Sequence, residues 1–254
     1  MNYQTIRVRY EDDICFLQLY RPQANNTINQ LLIQECKHVV DTCNSQIKII
    51  VLEGLPEVFC FGADFDLLAN NQNQTDEHYN VPDPLYDLWH RLATGPYITI
   101  AHVRGRANAG GIGFISACDV VLADETAEFS LSELLFGLLP ACVMPFLVRR
   151  IGFQKANYMT LMTKPISVCQ AESWGLVDAC ESDSHSLLRK HLLRLRLLDK
   201  HGVKRHKNYM NVMNASLTEL RESAIKMNLE VFRDPVNSRN IVRYIETGKF
   251  PWEK

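Results

Sequence analysis

The chain has 254 residues, 46% of them hydrophobic, and a formal net charge of −2. Such a length supports one large domain with a substantial core, and the charge balance gives no overall pull toward nucleic acid or anionic membranes. No apolar run approaches the roughly 20 residues that span a bilayer, and Met1-Asn2-Tyr3-Gln4 opens a strand and not a signal peptide, so a cytoplasmic protein is expected.

In chain order, residues 5–10 and 14–19 read as a hairpin around the acidic turn Glu11-Asp12-Asp13. Asn29 is placed to cap a helix whose apolar face runs Leu32, Cys36, Val39 and Cys43. Residues 47–52 form a short, nearly continuous apolar strand ending at Gly54. Phe59-Cys60-Phe61-Gly62-Ala63-Asp64 follows as a glycine-containing turn into a short helix, which Asp64 is expected to cap. Residues 70–84, rich in Asn, Gln, Asp and Pro, read as a mobile surface loop or a poorly ordered segment, and Tyr86, Trp89 and Tyr97 as core aromatics. The strand–strand–helix–strand order then recurs, with a strand at 98–103, a Gly-rich turn, a helix at 114–118 and a strand at 120–123. This alternation predicts an α/β fold with parallel pairing and right-handed crossovers. From about Gln154 the chain reads as wholly helical, a layer for packing or subunit association.

The eight cysteines (Cys15, Cys36, Cys43, Cys60, Cys118, Cys142, Cys169 and Cys180) form no CxxC pair and have no histidine at ligand spacing. They read as reduced thiols, mostly buried as small hydrophobes. No metal site is expected.

Chemistry enters at Arg106-Ala107-Asn108-Ala109-Gly110-Gly111-Ile112-Gly113, between a strand-like run and a helix-like one. Glycines where a helix begins leave backbone N–H groups free and let a ligand approach them closely. No Lys-Ser/Thr follows, which excludes a phosphate-binding P-loop, and the glycine spacing is not that of a dinucleotide turn. The turn is therefore read as an oxyanion site. Close packing of helix on strand is the plainer use of the same glycines. Ser130-Leu131-Ser132-Glu133 precedes the apolar Leu134-Leu135-Phe136-Gly137-Leu138-Leu139-Pro140, so Glu133 is expected to be partly desolvated, its pKa raised toward acid–base use. A structural pair with an arginine is the alternative for Glu133.

Together these segments resemble the enoyl-CoA hydratase/isomerase family, the crotonases. The resemblance runs through Arg21-Pro22, residues 59–64, 109–119, 129–140 and 166–178. It implies a spiral of strand–strand–helix turns over residues 1–185, then a C-terminal helical layer over 186–254, assembled as trimers or pairs of trimers. It also implies that the backbone N–H groups of Phe61 and Gly110 form an oxyanion hole for a thioester carbonyl. Removing one such donor typically costs about 3–4 kcal/mol of barrier. Ala63, Asp64, Gly111, Gly113, Ala141 and Cys142 are expected around the pocket, with the Phe61 ring at its mouth. Of the two glutamates used by family hydratases, Glu133 matches the second and the first falls on Gly113. Ordinary hydration is thereby put in doubt, whereas dehydration of a labile β-hydroxyl or double-bond isomerisation needs one base only.

Residues 108–114, 130–137 and 140–142 look like a subgroup of this family, the dehydratases of polyketide β-branching. That likeness implies dehydration of a 3-hydroxy-3-methylglutaryl group to 3-methylglutaconyl, with Glu133 taking the C2 proton. No cofactor is implied beyond the phosphopantetheine of an acyl carrier protein or CoA. Such a substrate calls for a cation near its distal carboxylate, and the sequence reveals none. Arg189 to Lys207 carries eight basic residues beside a leucine stripe. It reads as an amphipathic helix with a solvated basic face, or as a docking surface for an acidic carrier protein through Arg189, Arg194 and Arg196. A non-catalytic binder built on the same fold is the remaining alternative.

Overall fold

The computed structural model describes residues 2–43, 46–65 and 82–253. β1 (Ile6–Glu11) and β2 (Ile14–Leu19) form the expected hairpin, and Asp12 takes the left-handed turn conformation at φ 52°. α1 (Gln30–Thr42) starts at Asn29, whose side chain accepts from the Leu32 N–H at 2.9 Å. Leu32, Cys36, Val39 and Cys43 are fully buried. β3 (Ile49–Glu53) and β4 (Val58–Cys60) precede α2 (Pro82–Thr94). Next come β5 (Ile98–Val103), β6 (Arg106–Asn108), α3 (Gly110–Ala117), β7 (Val120–Ala123) and β8 (Glu128–Ser130). A 3-10 turn, Glu133–Phe136, leads to α4 (Met144–Ile151) and α5 (Phe153–Met162).

Successive strands go to different sheets. With β9 (Ile166–Ser167) and β10 (Ala179–Cys180) from the last third of the chain, one sheet runs β1-β2-β3-β5-β7-β10 and the other β4-β6-β8-β9. From β2 onward the first is parallel, as are β4-β6-β8 in the second. Each turn of chain thus adds one strand to each sheet before its helix, which is the expected spiral of strand–strand–helix units.

The parallel strands are buried on both faces, as crossover packing requires. Ile14, Phe16, Ile49, Val51, Ile98, Ile100 and Leu122 point to one side, and their alternates, with α1 and α3, build the main core on the other.

Two segments differ from expectation. Most of the segment read as a mobile loop lies outside the described residues, but Pro82, Asp83 and Pro84 form the first turn of α2. Proline fits there because the first N–H groups of a helix have no partner within it. The last third is not wholly helical. β9 (Ile166–Ser167) pairs with β8, and β10 (Ala179–Cys180) extends the large sheet beside β7. Strands of two residues are too short to show any alternation. Around them lie α6 (Val168–Ser173), α7 (Ser184–Leu195), α8 (Lys200–Met213), α9 (Ser216–Glu219), α10 (Arg221–Arg233) and α11 (Pro235–Thr247). No helix among the described residues is long and apolar enough to cross a membrane.

Candidate active site

The site begins with a buried anchor at the start of the spiral. Arg21 pairs with Asp64 at 2.9 Å and donates to the Thr27 carbonyl, and Thr27 Oγ1 donates to the same carboxylate at 3.1 Å. Fully buried Asn26 donates to the carbonyls of Leu19 and Phe59, 3.0 Å each. Backbone bonds then run from Ile28 N–H to Gly62 O (2.7 Å) and from Asp64 N–H to Ile28 O (3.3 Å). This strapping fixes the turn after β4, with Phe61 and Ala63 facing a cavity of about 1090 Å³. Asp64 therefore works as the acid of a buried ion pair. The helix it was expected to cap lies outside the described residues beyond Phe65.

The second loop meets the first through glycines. A Cβ on Gly62, where φ is +92°, would lie 2.7 Å from the Ala109 Cβ, and one on Gly111 would lie 2.4 Å from the Cys60 carbonyl oxygen. Ala109 is itself held at φ 50°, ψ −118°, conformationally strained for a residue with a Cβ. Its N–H donates to the Ser130 carbonyl at 3.0 Å. Gly110 follows as the first residue of α3, so its N–H has no acceptor within the helix. Phe61, Gly110 and Glu133 line the same cavity.

Glu133 opens the 3-10 turn and is buried, with Oε2 lacking any hydrogen-bond partner. Burial pushes its carboxyl up to about 7, against the backbone amides of Glu133 and Ser132, which favour the charged form. It has no ion-pair partner among the described residues, so the reading as half of a structural arginine pair is not what the structure places there. The lining contains one other acid, Asp64, already paired, and no lysine or arginine among the described residues.

Three expected pocket residues stand elsewhere. Gly111 serves the close approach of the two loops, and Ala141 lies between Pro140 and Cys142, which face the cavity in its place. Gly113 lies under Trp89, where a Cβ would come within 2.5 Å of Cζ2 and Cη2 of the indole. Trp89 is core, as expected, held edge-to-face by Phe114 and Phe146, but it also lines the cavity. The space beside Gly113 is filled by this ring.

A second set of lining residues carries no signal in the local sequence. Phe136, Tyr244 and Phe250 form an aromatic cluster, with Tyr244 5.1 Å from Phe136 and 4.9 Å from Phe250, closing the cavity with the C-terminal helices. No local pattern joins residues a hundred positions apart. Arg189, Arg194 and Arg196 belong to or follow α7, which packs through Leu187 and Leu188 on the far face of the large sheet and contributes nothing to the cavity lining. Arg196 lies 3.8 Å from Asp12. A cation that does stand at the mouth is Arg106, whose guanidinium lies 5.2 Å from the centre of the 39%-exposed Phe61 ring.

The model of the family described as enoyl-CoA hydratase/isomerase matches residues 9–254. The chain belongs to the enoyl-CoA hydratase/isomerase family. Among its relatives, bacillaene synthase dehydratase PksH of Bacillus subtilis is 55% identical over 254 residues, covering all of this chain and 98% of that one. The 2,3-dehydroadipyl-CoA hydratase of Escherichia coli is 32% identical over 180 residues, 69% of each chain. The crystal structure of a polyketide biosynthesis enoyl-CoA hydratase, pksH, from Bacillus subtilis superposes with a TM-score of 0.95 at 54% identity, over 98% of this chain and all of that one. An enoyl-CoA hydratase from Bacillus halodurans shares the fold, with a TM-score of 0.87 at 19% identity over 94% and 99% of the two chains.

Proposed function

We propose that this protein is a hydro-lyase of polyketide biosynthesis that dehydrates 3-hydroxy-3-methylglutaryl-acyl carrier protein to the 3-methylglutaconyl thioester. The observation that carries the reading is a buried, unpaired Glu133 in a cavity whose first-glutamate position is Gly113 covered by Trp89. Likeness to a polyketide dehydratase over the whole chain supports the pathway assignment.

The thioester oxygen sits on the N–H groups of Phe61 and Gly110, which stabilise charge that grows only as the C2 proton leaves. Glu133 takes that proton. The resulting enolate expels the hydroxyl at C3, which departs as water on receiving a proton from the same carboxyl. A group with a pKa near 7 is suited to both halves of this exchange. The described lining offers the distal carboxylate no lysine or arginine, and Asn228 and Tyr244 are among its neutral polar residues. No cofactor beyond the substrate's own phosphopantetheine arm takes part. Copies associate as a trimer or a pair of trimers in this reading, and exposed Phe153, Tyr158, Leu161 and Met162 on α5 offer an apolar surface for association.

Mass spectrometry of the 3-hydroxy-3-methylglutaryl group on an acyl carrier protein and on CoA tests the reading. Loss of one water, faster on the carrier protein, is expected. Unchanged mass on both carriers would overturn it.

A further inference from the structure

One polar chain in the cavity wall has no part in the chemistry above. Ser130 donates from Oγ to Asn108 Oδ1 at 2.8 Å, and Asn108 donates from Nδ2 to Ser132 Oγ at 2.9 Å. All three residues line the cavity with Glu133. Asn108 is buried, so the two hydroxyls, one at each end of its amide, fix how it is turned. Ser132 Oγ thus accepts a bond, while its own proton has no acceptor among the described residues. Ser130 sits at the end of β8 and its backbone carbonyl holds Ala109, so the chain is built on the same strand ends as the oxyanion loop.

Position gives the free hydroxyl proton its target. Gly110 lies two residues beyond Asn108, and Glu133 is the residue after Ser132. An acyl group with its carbonyl at Gly110 and C2 at Glu133 runs C3, with its hydroxyl, along the wall that carries Ser132. With Gly113 bare and Trp89 over it, the opposite side offers no carboxylate to that oxygen.

We propose that Ser132 donates a hydrogen bond to the departing β-hydroxyl, with Asn108 as the positioning residue that aims it. This rests on the dehydratase reading above. Ser132 keeps its proton throughout: the C2–H and C3–O bonds break, the C2–C3 double bond forms, and Glu133 carries the C2 proton to the leaving oxygen. The serine stabilises negative charge on that oxygen while the bond stretches.

The test compares two reactions of each variant. Dehydration of the 3-hydroxy-3-methylglutaryl carrier needs the leaving-group donor. Exchange of C2 protons for deuterium in 3-methylglutaryl carrier protein, which has no hydroxyl to lose, needs Glu133 and the oxyanion hole only. Ser132→Ala is expected to lower dehydration roughly 10- to 100-fold relative to exchange, the range for one hydrogen bond to a developing charge. Ser132→Thr restores the ratio, because its hydroxyl keeps the bond to Asn108. Asn108→Leu gives a smaller loss of the same kind and serves if Ser132→Ala does not fold. An unchanged dehydration rate in Ser132→Ala, or an equal loss in both reactions with no rescue by threonine, overturns the proposal. Failure of the unmutated protein to dehydrate the substrate overturns the function itself, so the two failures are distinct.

Discussion

Burial raises the Glu133 carboxyl to about 7, so near neutral pH it is divided between a form that takes a proton and one that gives it. In the proposed reaction the ionised form starts the elimination, and kcat/KM is therefore expected to fall about tenfold per pH unit below about 7 in a pH–rate profile. A flat profile from pH 5 to 8 would contradict this. Folding feels the same shift. The folded protein holds this proton more tightly than the unfolded chain, whose ordinary value is 4.5. The stabilisation is fully present below that value and is lost as pH rises through about 7. The Tm advantage of Glu133→Gln over the unmutated protein should therefore widen between pH 5 and pH 8, by the equivalent of on the order of 1–3 kcal/mol. Gly113 shows how much of this site a sequence comparison can misplace. Gly113→Glu restores a family glutamate on paper, yet its Cβ would meet an indole fixed by Phe114 and Phe146. The variant is expected to lose stability and to gain no measurable hydration of crotonyl-CoA.

At the scale of elements, the proposed oxyanion site depends on two loops that touch through Gly62 and Ala109. Gly62→Ala places a Cβ 2.7 Å from that of Ala109 on a backbone at φ +92°. It is expected to cost about 1–3 kcal/mol by the combined effect of overpacking and strain and to lower kcat. Urea unfolding and initial rates on the same preparation check both parts. The basic stretch at α7 raises a different question, because under the proposed function a carrier protein delivers its arm to the cavity mouth. Arg106 stands there, and α7 covers the opposite face of the large sheet. Arg106→Glu should therefore raise KM for the carrier-bound substrate in a salt-dependent way. The double reversal Arg194→Glu with Arg196→Glu should act less strongly. The reverse order of effects would put docking on α7.

Across the whole molecule, local patterns carried much of the architecture. Asn29 and the Leu32-Cys36-Val39-Cys43 stripe marked α1, and the β-branched runs marked β3 and β5, because those signals are complete within one element. What the sequence could not show was contact between distant segments. Trp89 over Gly113, the Asn108–Ser132 bond and the Phe136–Tyr244–Phe250 cluster each join side chains from separate parts of the chain. The glycine turn and Glu133 were singled out in the sequence and do line one cavity, while the C-terminal helices were read as packing and turn out also to wall it. All of these parts converge on one carboxylate. The most direct test is dehydration of 3-hydroxy-3-methylglutaryl-acyl carrier protein by Glu133→Gln, with its fold verified by circular dichroism. Loss of turnover by at least about a hundredfold is expected from removing the acid–base group. Near-full turnover would contradict the assignment of Glu133 as the group that moves the proton.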